Sequence, residues 1–282
     1  MITPFDARER VDEDAVAALM GRLIANGSDG LVLSGTTGEA STLTDDEKLR
    51  LFEIGVRELR GRASVIAGTG SNDTAHSVHL TERAGELGVD AVLVVTPYYN
   101  KPPRAGIIGH VRAVAEVGVP VILYNIPSRS VVNIPADLIR ELAEIPGVVG
   151  IKEANSDQAA ETLDIGLPVW AGNDDLFVDV ITGGGEGVIS VASHLVGPQM
   201  QEIARAACAG DAAEAHRRDE ALHPLYEGLF TVTSPILIKA ALEMAGAIPQ
   251  GPLRLPLVEA TGEERRELAR VLESVEVLVN AS

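Results

Sequence analysis

The sequence has few cysteines, few aromatic residues and no long apolar run. A single cysteine, Cys208, stands among 282 residues, so an internal disulfide is excluded and a reducing compartment is favoured. No apolar run reaches the length of about 20 residues that a membrane-spanning helix needs. The first residues carry no signal-peptide pattern. We therefore expect a cytoplasmic protein without a transmembrane helix.

Positive charge is also scarce. The chain has 23 lysines and arginines against 41 aspartates and glutamates, which gives a formal net charge of -18. This charge disfavours nucleic acid or an anionic membrane surface as a partner. The lysines are Lys48, Lys101, Lys152 and Lys239. A lysine within an apolar strand pattern is therefore a notable feature of this chain.

Patterns that bind metals or nucleotides are weak. His76 and His79 lie three residues apart on a predicted helix, but no third ligand follows at a spacing typical of zinc sites. The first apolar run leads into Thr3-Pro4-Phe5-Asp6, which is not the glycine-rich turn of a dinucleotide-binding fold. We predict neither a metal nor another cofactor.

Short apolar runs alternate with amphipathic helical patterns over the first 208 residues. Eight runs are predicted as strands: Ile2–Thr3, Gly30–Ser34, Val65–Gly68, Ala91–Thr96, Val119–Asn125, Val148–Lys152, Val169–Gly172 and Val188–Val191. Helical patterns fill the gaps, and a capping box at Thr44 to Glu47 marks the start of one of them. Alternation of this kind predicts parallel strands with right-handed crossovers.

Eight such units favour an α/β fold of the closed (β/α)₈ type, the TIM barrel, over an open doubly wound sheet. We assign residues 1–208 to this catalytic barrel, with a short first strand. Beyond Cys208 the strand patterns stop, and helices are predicted at Asp211–Gly228, Pro235–Ala245 and Glu263–Val279. Residues 209–282 are therefore interpreted as a C-terminal helical extension that packs on the barrel.

Lys152 ends the apolar run from Val148 and is the first candidate for chemistry. It shares a strand face with Gly150, which has no side chain to crowd it. Desolvation disfavours the ammonium and favours the neutral amine, which attacks ketones to form a Schiff base. The alternative is a structural lysine at a strand end that pairs with Glu153 or another carboxylate.

Other polar residues follow the predicted strands at the edge where barrel active sites lie. The turn Gly35-Thr36-Thr37-Gly38 offers backbone N–H groups and two hydroxyls to a small carboxylate, or is simply a strand-to-helix turn. Tyr124 ends the strand next to that of Lys152 and either transfers protons or is a packed aromatic. Arg129 offers a bidentate guanidinium for a carboxylate, or forms a surface salt bridge.

These motifs together resemble one family. The segments Gly35-Thr36-Thr37-Gly38-Glu39, Pro97-Tyr98-Tyr99-Asn100-Lys101-Pro102, Tyr124-Asn125-Ile126-Pro127-Ser128-Arg129 and Gly150-Ile151-Lys152-Glu153-Ala154 are similar to those of the dihydrodipicolinate synthase family. This family belongs to the superfamily of pyruvate-dependent class I aldolases that includes N-acetylneuraminate lyase. The resemblance extends over essentially the whole chain.

The resemblance implies a lyase that condenses pyruvate with aspartate semialdehyde in lysine and diaminopimelate biosynthesis. It implies the catalytic residues Lys152, Tyr124, Thr37 and Tyr99, with the imine on Lys152 and a proton relay through the other three. It implies that Tyr99 comes from a neighbouring subunit of a homotetramer, a dimer of dimers, or of a homodimer. The implied substrate-binding residues are Thr36 and Thr37 for the pyruvate carboxylate, Arg129 for the aldehyde substrate, and Gly172 and Ile189 around pyruvate.

Two other functions remain open at this point. One is a pyruvate-dependent aldolase or lyase for a keto-sugar acid, which the Ser128-Arg129 pair disfavours because such enzymes tend to lack it. The other is a non-catalytic paralogue, which the intact catalytic set disfavours. The family usually has more residues before Thr3, so we expect either a misassigned start or an unusually short first strand.

The resemblance also bears on feedback inhibition. Positions that bind inhibitory lysine in sensitive relatives correspond here to His76 and Lys48, where those relatives have a glutamate and a histidine. Neither side chain attracts the ammonium groups of lysine. We therefore expect a weak response or none.

Overall fold

Apolar strand-forming runs and amphipathic helices alternate in the computed structural model, which describes residues 1–277. Within these residues seven strands belong to one sheet, in chain order. They are β1 (Gly30–Leu33), β2 (Ser64–Gly68), β3 (Ala91–Val95), β4 (Val121–Asn125), β5 (Val148–Glu153), β6 (Val169–Ala171) and β7 (Gly187–Val188). The α/β class and the parallel sheet predicted from the alternation are confirmed.

The helices fill the intervals as the periodicity predicts. They are α1 (Glu13–Ala25), α2 (Asp45–Leu59), α3 (Thr74–Leu87), α4 (Arg104–Ala115), α5 (Pro127–Ser130), α6 (Ala136–Ala143), α7 (Ala159–Leu163), α8 (Phe177–Thr182), α9 (Ser193–Cys208), α10 (Ala212–Glu220), α11 (His223–Gly228), α12 (Ile236–Met244) and α13 (Gly262–Ser274). None of these helices is both long and apolar enough to cross a membrane. Residue 279, the predicted end of the last helix, lies outside the described part of the chain.

The chain divides into two compact units, 65–190 and 1–64 with 191 onward. Unit 65–190 holds almost all of β2 and the whole of β3 to β7, and every neighbouring pair among these strands is parallel. Strand β4 is buried at all of its residues, in agreement with its apolar start at Val121-Ile122-Leu123. The ends of β4 and β5 are in register, with Tyr124 opposite Lys152 and Asn125 opposite Glu153.

The other unit contains β1, α1, α2 and the helices from α9 onward. Helix α12 packs against α9 and α13, and α1 packs against α2 and α9. Its core includes Phe5, Phe52, Leu19 and Met20, all almost fully buried. The predicted capping box of α2 is confirmed, because the Thr44 side chain accepts from the Glu47 N–H and the Glu47 carboxylate accepts from the Thr44 N–H.

The first predicted strand is not observed. Ile2 is fully buried, but its N–H donates to Nε2 of His194 at 3.1 Å and not to a strand neighbour. The Met1 ammonium donates to the Val32 carbonyl at 2.7 Å, and the Thr3 hydroxyl donates to the Gly38 carbonyl at 2.7 Å. Apolar character therefore buries this segment, while side chains and the terminal ammonium satisfy hydrogen bonds that a strand ladder would otherwise make.

Candidate active site

The side chains of Tyr124 and Lys152 meet at the ends of neighbouring strands. The two residues are register partners in β4 and β5, and the Nζ atom of Lys152 lies 4.5 Å from the centroid of the Tyr124 ring. Tyr124 is 5% exposed, and Lys152 is half-buried. The amine of Lys152 thus lies over the ring of Tyr124, and the phenol hydroxyl belongs to that tyrosine.

Lys152 has no carboxylate partner among residues 1–277. None of the observed ion pairs includes it, and its chain neighbour Glu153 bonds to other groups. The alternative in which Lys152 pairs with Glu153 is therefore wrong. The amine therefore contacts the Tyr124 ring without an ion pair to any described carboxylate.

The space above Gly150 is used differently from the sequence prediction. A Cβ atom on Gly150 would lie 2.5 Å from a ring carbon of Trp170 and 3.0 Å from the Pro168 carbonyl oxygen. Trp170 is also the register partner of Lys152 on β6. The absence of a side chain at Gly150 therefore makes room for the Trp170 indole beside β5, and the indole fills this space.

A buried carboxylate lies next to Lys152 in the chain, and sequence reasoning missed its role. Glu153 is fully buried and accepts hydrogen bonds from the Asn155 backbone N–H at 2.8 Å and from three side chains. The side-chain donors are Asn125 at 2.9 Å, Thr162 at 3.1 Å and Gln158 at 3.2 Å. Burial raises the pKa of Glu153, and these donors act in the opposite direction. The only sequence signal was that Asn125 and Glu153 directly follow Tyr124 and Lys152.

The same network reaches the loop that carries Arg129. The Asn125 amide oxygen accepts from the Ile134 N–H at 3.0 Å, and its Nδ2 donates to Oδ1 of Asn133 at 2.9 Å. Asn133 in turn donates to Gln158 at 2.9 Å. The loop after α5 is therefore tied to the ends of β4 and β5 through polar contacts. Arg129 itself is exposed and has no ion pair within the described residues, so the salt-bridge alternative is wrong.

Tyr99 extends from an irregular turn after β3. Its side chain is 87% exposed, and its φ of 71° is unusual for a residue other than glycine. The neighbouring Asn100 donates to the Asn72 carbonyl at 2.9 Å and steadies the turn. The structure thus presents a phenol outward on a strained backbone. No hydrogen bond or ring contact joins Tyr99 to Tyr124 or Lys152 in the described chain.

Gly172 and Ile189 follow β6 and β7. A Cβ atom on Gly172 would lie 2.6 Å from the Ala154 Cβ and 2.9 Å from the Glu153 carbonyl oxygen, so the site requires glycine. The Gly172 N–H donates to that carbonyl at 2.6 Å, and the Ile189 N–H donates to the Ala171 carbonyl at 2.9 Å. Both residues therefore place backbone atoms at the ends of these strands.

The threonine turn belongs to the other unit and follows β1. The Gly38 N–H donates to the Gly35 carbonyl at 3.0 Å, and the Glu39 N–H donates to the Thr36 carbonyl at 3.1 Å. Thr36 is exposed and Thr37 is half-buried, so both hydroxyls are accessible. No cluster of three or more metal-ligating side chains occurs within residues 1–277.

The chain is similar to many characterised proteins along nearly its whole length. Residues 1–275 match the dihydrodipicolinate synthetase family. The 4-hydroxy-tetrahydrodipicolinate synthase of Symbiobacterium thermophilum is 50% identical over 99% of this chain and 97% of its own length. That of Bacillus subtilis is 45% identical over 96% of both chains.

Solved structures give the same result. The chloride-inhibited dihydrodipicolinate synthase of Acinetobacter baumannii, solved with pyruvate, is 35% identical with a TM-score of 0.95, over 99% of this chain and 97% of its own. The enzyme from Cyanidioschyzon merolae, solved with lysine bound, is 37% identical with a TM-score of 0.95, over the same shares of the two chains. The chain belongs to the dihydrodipicolinate synthetase family.

Proposed function

We propose that this chain condenses pyruvate with aspartate semialdehyde to 4-hydroxy-tetrahydrodipicolinate through an imine on Lys152. The activity is that of a lyase in lysine and diaminopimelate biosynthesis, as in the similar proteins named above. One observation supports the mechanism most directly: a half-buried lysine without a carboxylate partner lies over the ring of Tyr124. No described carboxylate lies between this amine and an incoming ketone, and Tyr124 brings a phenol hydroxyl to the same pair of strand ends.

The amine of Lys152 attacks the ketone carbon of pyruvate, and water leaves as the imine forms. Loss of a methyl proton gives an enamine, whose carbon attacks the aldehyde. The amino group of the second substrate then attacks the imine carbon, closes the ring and releases Lys152. Tyr124, Thr37 and Tyr99 transfer the protons in these steps, which requires groups that both donate and accept.

The remaining residues bind the substrates. We assign the pyruvate carboxylate to Thr36 and Thr37, whose turn offers hydroxyls and backbone N–H groups. Arg129 binds the carboxylate of aspartate semialdehyde, in agreement with a guanidinium that is exposed and unpaired in the described chain. Gly172 and Ile189 border pyruvate with backbone atoms.

We further propose the complete architecture and assembly. Residues 1–208 form a (β/α)₈ catalytic barrel, and residues 209–282 form a helical extension that packs on it. The active protein is a cytoplasmic homotetramer or homodimer in which Tyr99 acts in a neighbouring subunit. The exposure of its phenol supports this role, because an exposed side chain is accessible to a neighbouring subunit.

Trapping with borohydride tests the imine. Incubation with pyruvate and borohydride should add a reduced pyruvyl group to the peptide that contains Lys152, and turnover with aspartate semialdehyde should follow. An adduct on another lysine would overturn the mechanism. No adduct at all would indicate a non-catalytic paralogue, and trapping without turnover of aspartate semialdehyde would indicate a lyase for another aldehyde.

Arg129→Met tests the choice of the second substrate. The KM for aspartate semialdehyde should rise about 10- to 100-fold, the equivalent of one lost charged hydrogen bond of about 1.5–3 kcal/mol. Imine formation with pyruvate should stay unchanged, because the guanidinium contacts only the incoming carboxylate. Equal damage to both steps would make Arg129 a structural residue. Arg140→Met, on α6, is a control outside the site.

Complementation tests the assembly. Tyr99→Phe and Lys152→Ala proteins, each weak alone, should regain activity when they are refolded together, since a mixed dimer holds one site with both native groups. If mixed dimers form without recovery, Tyr99 does not act across the interface.

A further inference from the structure

The residue that ends the threonine turn has an unfavourable backbone conformation. Glu39 has a φ of 57°, in the left-handed region that favours glycine, and is 2% exposed. A burial of this kind is costly for a carboxylate unless charged or hydrogen-bonding partners compensate. A residue that combines both features is held in place by the structure around it.

The first partner of Glu39 is a lysine that is fully buried. The Nζ atom of Lys239, on α12, forms an ion pair with Oε1 of Glu39, and it donates to the Pro252 carbonyl at 2.8 Å. It also lies 4.1 Å from the centroid of the Phe5 ring. Burial lowers the pKa of Lys239, while the Glu39 carboxylate raises it. No other lysine of the described chain is as deeply buried.

Arg254 is the second partner. Its backbone N–H donates to Oε2 of Glu39 at 3.1 Å, and its guanidinium lies 4.5 Å from the Phe5 centroid, on the ring that Lys239 also contacts. The same guanidinium donates to the Thr42 carbonyl at 2.9 Å and to Oε2 of Glu47 at 2.7 Å. The Glu39 carboxylate, the segment after the turn and the start of α2 are therefore fixed to the C-terminal part of the unit.

The contacts of Glu39 are transmitted to the threonines through short covalent and hydrogen-bonded links. Its N–H donates to the Thr36 carbonyl at 3.1 Å, and its own carbonyl accepts from the Thr42 N–H at 3.0 Å. The Glu39 backbone is therefore bonded directly to that of Thr36 and lies two residues from Thr37, while its side chain is fixed by Lys239 and Arg254. Neither Lys239 nor Arg254 belongs to the proposed catalytic set.

We propose that Lys239 and Arg254 are positioning residues, which hold the Glu39 carboxylate and thereby fix the Thr36–Thr37 turn for the carboxylate of pyruvate. The proposal rests on the proposed function, since it assumes that this turn binds pyruvate. It gives the C-terminal helices a role in substrate binding that no residue of the motifs reveals.

Lys239→Met is the first test, because methionine keeps the length of the side chain and removes its charge. The pyruvate concentration that half-saturates imine formation should rise about 10- to 100-fold, the size expected when reacting groups are misplaced. The KM for aspartate semialdehyde should stay within about twofold, since Arg129 lies in the other unit. Arg265→Met is the matched control: it breaks the ion pair of Arg265 with Glu243 between α13 and α12 without touching Glu39.

The double variant Lys239→Met/Glu39→Gln keeps the proposal testable if the single variant does not fold. It leaves no uncompensated buried charge, so it should fold. It still lacks the ion pair, so the pyruvate concentration that half-saturates imine formation should stay above that of the wild type. Recovery of wild-type pyruvate saturation in the double variant, or an equal effect of Arg265→Met, would make the link purely structural and overturn the proposal.

The wild-type protein separates this result from a failure of the proposed function. If it forms no imine on Lys152 with pyruvate, both proposals are overturned. If it forms the imine and Lys239→Met has the same pyruvate saturation, only the positioning role is overturned.

Discussion

Lys152 and Lys239, one in each unit, both lie over an aromatic ring but differ in their partners. Lys152 is half-buried at the end of β5, over the Tyr124 ring, with no carboxylate within the described chain. Lys239 is fully buried in α12, over the Phe5 ring, and forms an ion pair with Glu39. Both contact an aromatic face, so the counter-ion is the feature that separates them.

The two buried glutamates of the described chain also differ in their partners. Glu153 is held by neutral donors, whereas Glu39 is held by an ammonium and a backbone N–H. Lys152 and Glu153 are consecutive residues of β5, so their side chains lie on opposite faces of the strand. The Glu153 carboxylate is satisfied on its own face by the donors around Asn125, whereas the Glu39 carboxylate pairs directly with Lys239.

The largest expected effect is at Lys152. Lys152→Arg keeps the positive charge but cannot form an imine, so turnover should fall by at least about a thousandfold. Borohydride trapping with pyruvate should leave the protein unmodified. Lys101→Arg, in an exposed position, should behave as the wild type. An adduct on Lys239 in the variant would break the distinction between the two lysines.

Glu153→Gln tests the neutral donor set. The amide brings N–H groups into a cluster already filled with donors, and the free energy of unfolding should fall by about 1–3 kcal/mol. Turnover should fall as well, because the same network orders the ends of β4 and β5. Denaturant unfolding measures the first effect. Asp157→Asn, on the exposed side of the same segment, is the control, and an equal loss in both variants would contradict the prediction.

Acid should act in opposite directions through His194 and Glu153. Burial, together with the Met1 ammonium, lowers the pKa of His194 from 6.5 to about 3. Below pH 6.5 the unfolded chain protonates this histidine, whereas the folded state does not. The contribution of His194 to the free energy of unfolding is therefore fully present above pH 6.5 and is lost as the pH falls toward 3. The loss is about 1.4 kcal/mol per pH unit within this window. Burial raises the pKa of Glu153 above its usual value of 4.5. As the pH falls toward 4.5, the folded state therefore protonates Glu153 before the unfolded chain does, and this group then adds to the free energy of unfolding.

His194→Asn should therefore reduce the loss of unfolding free energy between pH 6 and pH 4. The variant is expected to be less stable at neutral pH, since Ile2 N–H loses its acceptor. His79→Asn, exposed on α3, should keep the wild-type slope. Parallel slopes for His194→Asn and the wild type would contradict the assignment.

The smallest expected effect concerns a third lysine, Lys48 on α2, which pairs with Asp45 at 3.2 Å and has a side chain that is 12% exposed. Free lysine should inhibit weakly or not at all, because His76 and Lys48 replace groups that bind the inhibitor in sensitive relatives. The missing charged hydrogen bond corresponds to about 1.5–3 kcal/mol, or one to two decades of affinity. Inhibition below 1 mM, on the order of sensitive enzymes, would overturn this prediction. His76→Glu should strengthen the response.

The strand and helix patterns were readable because they depend on local periodicity. Tyr124 and Lys152 could be placed together from the sequence, since successive parallel strands pair in order and both residues end their strands. The capping box of α2 was equally local. The strand predicted at Ile2 was wrong, because the hydrogen-bond partner of its N–H comes from a distant segment. The position of the Trp170 ring at Gly150 was not predicted for the same reason.

The sequence by itself determined the α/β alternation, the parallel sheet and the membership of Lys152 and Tyr124 in one pair of strand ends. Only the tertiary structure decided which lysine has a counter-ion. Arg254 is 215 residues from Glu39 in the chain, and Asn125 is 28 residues from Glu153. Periodicity cannot specify such contacts, because they depend on which polar groups packing buries together and on the cost of leaving any of them unpaired.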